Sequence, residues 1–245
     1  MSNLHTGFSA VVTGGNSGIG KATAERLLFE GAAVLVVDQH SEPTWTHHAL
    51  SYLQTDVADA TSADLIVQQV IKNTGRLDYL INNAGMVGGE SVETMEFDIW
   101  QRIIDVNLNA VLRLSKAAIP HLKVSPRGRI VNIGSIMSQL AGSGMAAYTA
   151  SKHAIAGLTK TLALELGPHK VTANYIQPGA IVTGITAPAI SHDPTFTAFW
   201  EGKSALGRLG QPKDIANAIN FLLTDDADFI TAHGLTVDGG VMVNP

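Results

Sequence analysis

The chain has 245 residues, 45% of them hydrophobic and only 15% charged, a balance that excludes a disordered polar segment and demands a large buried core. A net charge of −5 without any stripe of Lys or Arg argues against nucleic acid as a partner, and the absence of Cys excludes disulfides, thiolate zinc sites and Cys-held iron–sulfur clusters. Met1–Gly7 lacks the basic-then-apolar pattern of a signal peptide, and no apolar run reaches the roughly 18 residues that span a bilayer, so a cytoplasmic protein without membrane partners is expected.

In chain order, Phe8–Val12 reads as the first strand. Thr13-Gly14-Gly15-Asn16-Ser17-Gly18-Ile19-Gly20 follows it directly and opens a helix over Lys21–Glu30. Glycines here let the backbone turn sharply and approach a pyrophosphate, while free N–H groups at a helix start stabilise phosphate charge. Gly14, Asn16, Ser17, Gly18, Ile19 and Gly20 are therefore candidate cofactor contacts. The second strand, Ala33–Asp38, ends on a carboxylate about 20 residues beyond the turn, where an acid accepts bonds from the adenosine ribose hydroxyls and repels a 2′-phosphate. Neither Gly15 nor Gln39 supplies the cation an NADP site needs, so NAD is the expected cofactor; His40, if protonated, would soften that preference.

Tyr52–Val57, Leu77–Asn82, Gly128–Ile133, Val171–Ile176 and Leu235–Val237 complete the strands. Most are continuously apolar and separated by helical stretches, as a parallel sheet covered on both faces requires. The expected fold is α/β: a Rossmann-type doubly wound parallel sheet of about seven strands with helices on both faces, forming one domain over residues 1–245. Gly184–Leu206 is apolar without a clean period and reads as a substrate lid; a loop packed on the core or a neighbouring subunit is the plainer alternative.

Tyr148 and Lys152 open a helical pattern through Leu166 and share a helix face. A phenol is a poor base at neutral pH, and a neighbouring ammonium is expected to lower its pKa. Alone, this pair is an ordinary solvated helix face, and Ser135 alone is an ordinary turn cap. Together they gain meaning, because Ser135 follows a strand end and there points into the crevice where ligands of open α/β sheets bind. Met86 and Met145 flank the same crevice. His47-His48 is the only close pair among nine His, and no metal-ligand spacing is found, so no metal is expected.

At this point the chain resembles the short-chain dehydrogenase/reductase family nearly end to end. Thr13–Gly20 is similar to its TGxxxGxG turn, Asp56-Val57 to its adenine contact, Asn82-Asn83-Ala84-Gly85 to its NNAG strand end, and Tyr148–Lys152 to its YxxxK motif. Ser135 lies thirteen positions before Tyr148, and Asn107 falls on the active-site Asn. Pro178-Gly179-Ala180-Ile181-Val182-Thr183 is similar to the PGxxxT stretch that meets the nicotinamide carboxamide, and Thr236–Gly240 to the closing strand. The resemblance implies Tyr148 as acid/base, Ser135 as polariser of the substrate oxygen, Lys152 on the nicotinamide ribose, and Asn107 positioning a water that links Lys152 to solvent. It adds Asn83, Ala84, Gly85, Pro178, Gly179, Ile181 and Thr183 to the cofactor contacts. It also implies a homotetramer, with Trp100–Leu122 and Tyr148–Leu166 pairing across an interface. One departure is a short Asp38–Asp56 connection, in which Glu42-Pro43-Thr44-Trp45 makes a poor crossover helix.

The expected activity is reversible hydride transfer between NAD(H) and a fairly apolar secondary alcohol or ketone. Two alternatives are a 3-oxoacyl carrier-protein reductase using NADPH, against which Asp38 counts, and a non-catalytic NAD-sensing protein, which has no need of a proton relay.

Overall fold

The computed structural model describes residues 3–40, 43, 45–88 and 90–244. Seven strands, β1 (Ser9–Thr13), β2 (Ala33–Asp38), β3 (Leu50–Gln54), β4 (Tyr79–Asn82), β5 (Arg129–Ile133), β6 (Thr172–Pro178) and β7 (Gly234–Val237), form one sheet in the order β3-β2-β1-β4-β5-β6-β7. Every pairing is parallel. The order reverses between β1 and β4, which opens a crevice at the carboxyl ends of those strands.

The apolar strands are explained by the two cores they serve. Successive side chains point to opposite faces. Val11, Leu35, Val37, Leu80 and Ile130 pack on one face with Ile66, Leu114 and Leu162. Those partners come from α2 (Ser62–Thr74), α4 (Ala110–Leu122) and α5 (Ala146–Leu166). Val12, Val34, Val36, Tyr79, Ile81 and Val131 pack on the other face with Leu27 of α1 (Gly18–Phe29) and Ile219 of α8 (Pro212–Leu222). With both faces covered, the central strands β1, β4, β5 and β6 are buried along their length, and only the edge strands β3 and β7 are partly exposed.

Three expectations change. The third strand is Leu50–Gln54 rather than Tyr52–Val57, because its ladder partner β2 runs from Val34 to Asp38, and beyond Thr55 the chain turns with Asp56 accepting the Ala58 N–H at 2.9 Å. The helix read over Trp100–Leu122 is three segments: α3 (Phe97–Ile104), a π-helical stretch Asp105–Asn109, and α4. The lid segment is not irregular. It contains α6 (Ala187–His192) and α7 (Pro194–Lys203), the latter capped by Asp193, whose carboxylate accepts the Thr195 N–H at 2.9 Å. In the short Asp38–Asp56 connection, Glu42 and Thr44 lie outside the described residues, and the described ones form no helix. Trp45 packs there on the core face shared with α1, with Lys21 6.0 Å from its ring centroid.

Candidate active site

A cleft of about 490 Å³ runs along the carboxyl ends of the central strands. At one end stands the turn between β1 and α1. Gly14 takes φ +62°, a left-handed conformation that glycine adopts without strain. A Cβ on Gly20 would run into the Gly14 carbonyl and stand 2.5 Å from Asn83 Nδ2, so Gly20 lets the helix close on the turn. Asn83 ties the β4 end to the same turn, its side-chain amide donating to the Thr13 and Gly14 carbonyls at 2.8 and 3.1 Å. The loop after β6 folds over the turn, and a Cβ built on Gly18 would lie 3.4 Å from Thr183.

Of the expected cofactor contacts, Gly14, Ser17, Gly18, Ile19, Asp38, Asp56, Val57, Asn83, Ala84, Gly85, Tyr148, Lys152, Pro178, Gly179, Ile181 and Thr183 all line this cleft. Asn16 and Gly20 do not line it. They act behind it: the Asn16 N–H donates to Asp38 Oδ2 at 3.1 Å, and Gly20 is the packing point just described. Asp38 ends β2 as a buried carboxylate, its other oxygen facing His40 Nδ1 at 2.7 Å. Arg102 of α3 reaches the cleft and pairs with Asp56 at 2.6 Å. Burial works against the Asp56 charge, but the Ala58 N–H and the Arg102 guanidinium hold its carboxyl below the usual range.

At the other end, β5 delivers Ser135 and the start of α5 delivers Tyr148 and Lys152 to one wall. Ser135 is a cap after all, its Oγ accepting the Met137 N–H at 3.1 Å, and it shares the wall of the cleft with Tyr148. Lys152 is buried, with Nζ 5.5 Å from the Tyr148 ring centroid and donating to the Ile133 carbonyl at 2.7 Å. Burial pushes its ammonium down to about 8.

Here the expected electrostatics are corrected. Burial pushes the Tyr148 phenol up, with Ser135 opposing it, so it is not acidified by its neighbour. The reason is desolvation: burial penalises the phenolate more than its polar neighbour stabilises it. Around neutral pH the wall therefore offers a protonated phenol beside a protonated amine.

Asn107 is buried in the π-helical stretch and does not line the cleft. Its amide bonds the Met86 backbone in both directions at 2.9 Å and donates to Ser151 Oγ at 3.2 Å. A Cβ built on Gly85 would lie 3.4 Å from Asn107 Oδ1 and 3.8 Å from Lys152 Nζ, so the two residues flank one glycine. Met86 lines the cleft; Met145 is not among its described lining residues, and bridges instead to Glu90.

Sequence reasoning missed Arg102 as a cleft residue, and no local spacing signals a contact from α3 to the β3 end. It also missed the buried chain behind the wall, in which Asn82 donates to Asn132 at 2.8 Å and Asn132 to Thr159 at 2.9 Å, tying β4 and β5 to α5. Asparagines in otherwise apolar strands were the available signal. Among the described residues, no group of three or more His, Asp or Glu could hold a metal ion, and no helix is long and apolar enough to cross a membrane.

A family model described as enoyl-(acyl carrier protein) reductase matches residues 14–242. The chain belongs to the short-chain dehydrogenase/reductase family. It is 37% identical to the short-chain reductase protein NovJ of Streptomyces niveus, covering 94% of this chain and 92% of that one. It is 33% identical to the 3-oxoacyl-acyl-carrier-protein reductase FabG of Vibrio cholerae, covering 96% and 97% respectively. The ligand-free structure of Thermoplasma acidophilum aldohexose dehydrogenase superposes with a TM-score of 0.93 at 32% identity, over 100% of this chain and 97% of that one. The protein is an oxidoreductase of this family, which uses a nicotinamide cofactor.

Proposed function

We propose that this protein reversibly transfers a hydride between NAD(H) and a secondary alcohol or ketone, with Tyr148 as proton donor and acceptor. The observation that carries this reading is the convergence of Ser135, Tyr148 and Lys152 on one wall of a cleft whose far end carries the Asp38 carboxylate. The residues fit a dinucleotide: a glycine turn at a helix start for the pyrophosphate, and a buried carboxylate without an adjacent Lys or Arg for an unphosphorylated ribose. Asp56 and Val57 would flank the adenine, Asn83 to Gly85 the middle of the cofactor, and Pro178 to Thr183 the nicotinamide end.

When bound, the nicotinamide supplies the hydride donor or acceptor and, in its oxidised form, a positive charge. In reduction Tyr148 gives its proton to the carbonyl oxygen; burial raises the phenol and by itself opposes that transfer, and the positive charge of the oxidised nicotinamide formed in the same step favours it. Ser135, on the same wall as Tyr148, orients the substrate oxygen toward it. Lys152 holds the nicotinamide ribose and replenishes the proton, while Asn107 fixes the Met86 backbone and positions the connecting water. One domain over residues 1–245, a cytoplasmic setting and a homotetramer complete the reading. Ile185 at the lid edge lines the cleft, which favours a fairly apolar substrate.

A second reading, reduction of a carrier-linked 3-oxoacyl group with NADPH, is favoured by the FabG relative. One experiment separates the two. Secondary alcohols, simple ketones and a 3-oxoacyl thioester are assayed with NAD(H) and NADP(H) in parallel. Turnover of an apolar ketone with NADH supports the first reading; turnover confined to the thioester with NADPH overturns it. No turnover with tight NAD binding would return the sensor alternative.

A further inference from the structure

His40 lies two residues beyond β2 and lines the same stretch of cleft as Asp38. Its ring Nδ1 is 2.7 Å from Asp38 Oδ1, and its backbone N–H donates to that oxygen at 3.3 Å. Asp38 Oδ2 accepts the Asn16 N–H at 3.1 Å. Both oxygens of the carboxylate thus already hold donors from the chain.

An ionised carboxylate can only accept, so Nδ1 carries the proton of the neutral ring and Nε2 is the atom that takes up a second one. The ring is 68% exposed while Asp38 is buried, which leaves the histidine accessible to solvent protons. We propose that His40 sets how strongly the site discriminates against a 2′-phosphate on the adenosine ribose. Neutral, it leaves the Asp38 charge to repel that phosphate. Protonated, it offsets the carboxylate and adds an Nε2–H donor, so the preference for NAD over NADP narrows as pH falls. This rests on the dinucleotide reading above.

Among the described residues, the ionisable groups placed around His40 are few. Asp38 faces it from β2, and the Tyr52 hydroxyl on β3 donates to the His40 carbonyl at 2.5 Å. Asp56 and Arg102 line the cleft too, but they pair with each other at 2.6 Å. Among the described residues, His40 is therefore the basic side chain that meets Asp38.

The test is a calorimetric titration of wild type and His40→Asn with NADH and with NADPH, at low ionic strength, near pH 8 and near pH 6. Asparagine keeps a short polar side chain and the backbone donor but cannot become a cation. A phosphate monoester itself takes up a proton at about pH 6, and both proteins share that effect. The NADH-over-NADPH affinity ratio is expected to fall about fivefold further in wild type than in the variant, the scale of an exposed charge pair. Equal narrowing in the two proteins overturns the role of His40 while leaving the dinucleotide site standing. Failure of the wild type to bind either dinucleotide at either pH overturns the site reading itself, and this inference with it.

Discussion

Lys152 is 5% exposed, and burial lowers its ammonium from 10.5 to about 8. At pH 7 the folded protein holds that charge less well than the unfolded chain does, a difference of about 3 kcal/mol. Lys152→Met keeps the volume of the stem and removes the charge, at the loss of the bond to the Ile133 carbonyl, worth about 1 kcal/mol. The variant is therefore expected to be more stable than wild type by about 2 kcal/mol at pH 7 while losing turnover, as befits a residue retained for chemistry against its effect on stability.

The penalty fades as pH rises. Between about 8 and 10.5 the unfolded lysine binds a proton that the folded one has lost, so wild-type stability rises across that window relative to the variant. Urea unfolding of both proteins at about pH 7 and about pH 10 measures this, with the stability gap closing at the higher pH. A variant less stable than wild type at pH 7, or a gap indifferent to pH, refutes the reasoning.

Tyr148→Phe removes only the transferable proton and is expected to lower turnover by about 10²-fold or more, with dinucleotide affinity within about twofold of wild type. Steady-state rates and a binding titration check both halves, and a variant retaining over about a tenth of the rate contradicts the acid/base role. Gly20→Ala drives a Cβ into the Gly14 carbonyl, so unfolding free energy should drop by about 1–3 kcal/mol and dinucleotide binding should weaken with it; unchanged melting and unchanged binding would count against the packing argument. His5 is fully buried between the Tyr79 hydroxyl at 3.3 Å and the Asn220 side-chain Oδ1 at 3.1 Å, and burial lowers its pKa against the Asn220 bond. Because the unfolded ring binds its proton below about 6.5 and the folded one resists, stability is expected to fall as pH drops through that value, and less steeply in His5→Gln. Matching pH slopes in urea unfolding would remove His5 as the source.

Much of the site was legible because its parts are local. A glycine turn needs only the strand before it and the helix after it, and Tyr148 and Lys152 share a face because four residues make about one helical turn. Ser135 and Asp38 could be placed because each falls at a strand end, and a parallel sheet puts all its carboxyl ends on one side. Continuous apolar strands announced a sheet covered on both faces, and the two cores are the physical reason. Boundaries were less legible: β3 stops at Gln54 because β2 supplies ladder partners only to Asp38, which nothing inside Tyr52–Val57 records.

What the tertiary structure decided was everything that depends on burial and on distant partners. Residue type puts a lysine one turn from a tyrosine and suggests an acidified phenol. Burial of both groups reverses that, because desolvation penalises each charged form. The Arg102–Asp56 pair joins residues 46 positions apart, and the His40–Asp38 contact depends on how the chain leaves β2. Sequence alone placed most of the groups that line the cleft; folding brought in Arg102, set Asn107 behind the wall, and determined which groups touch and how readily each one keeps its proton.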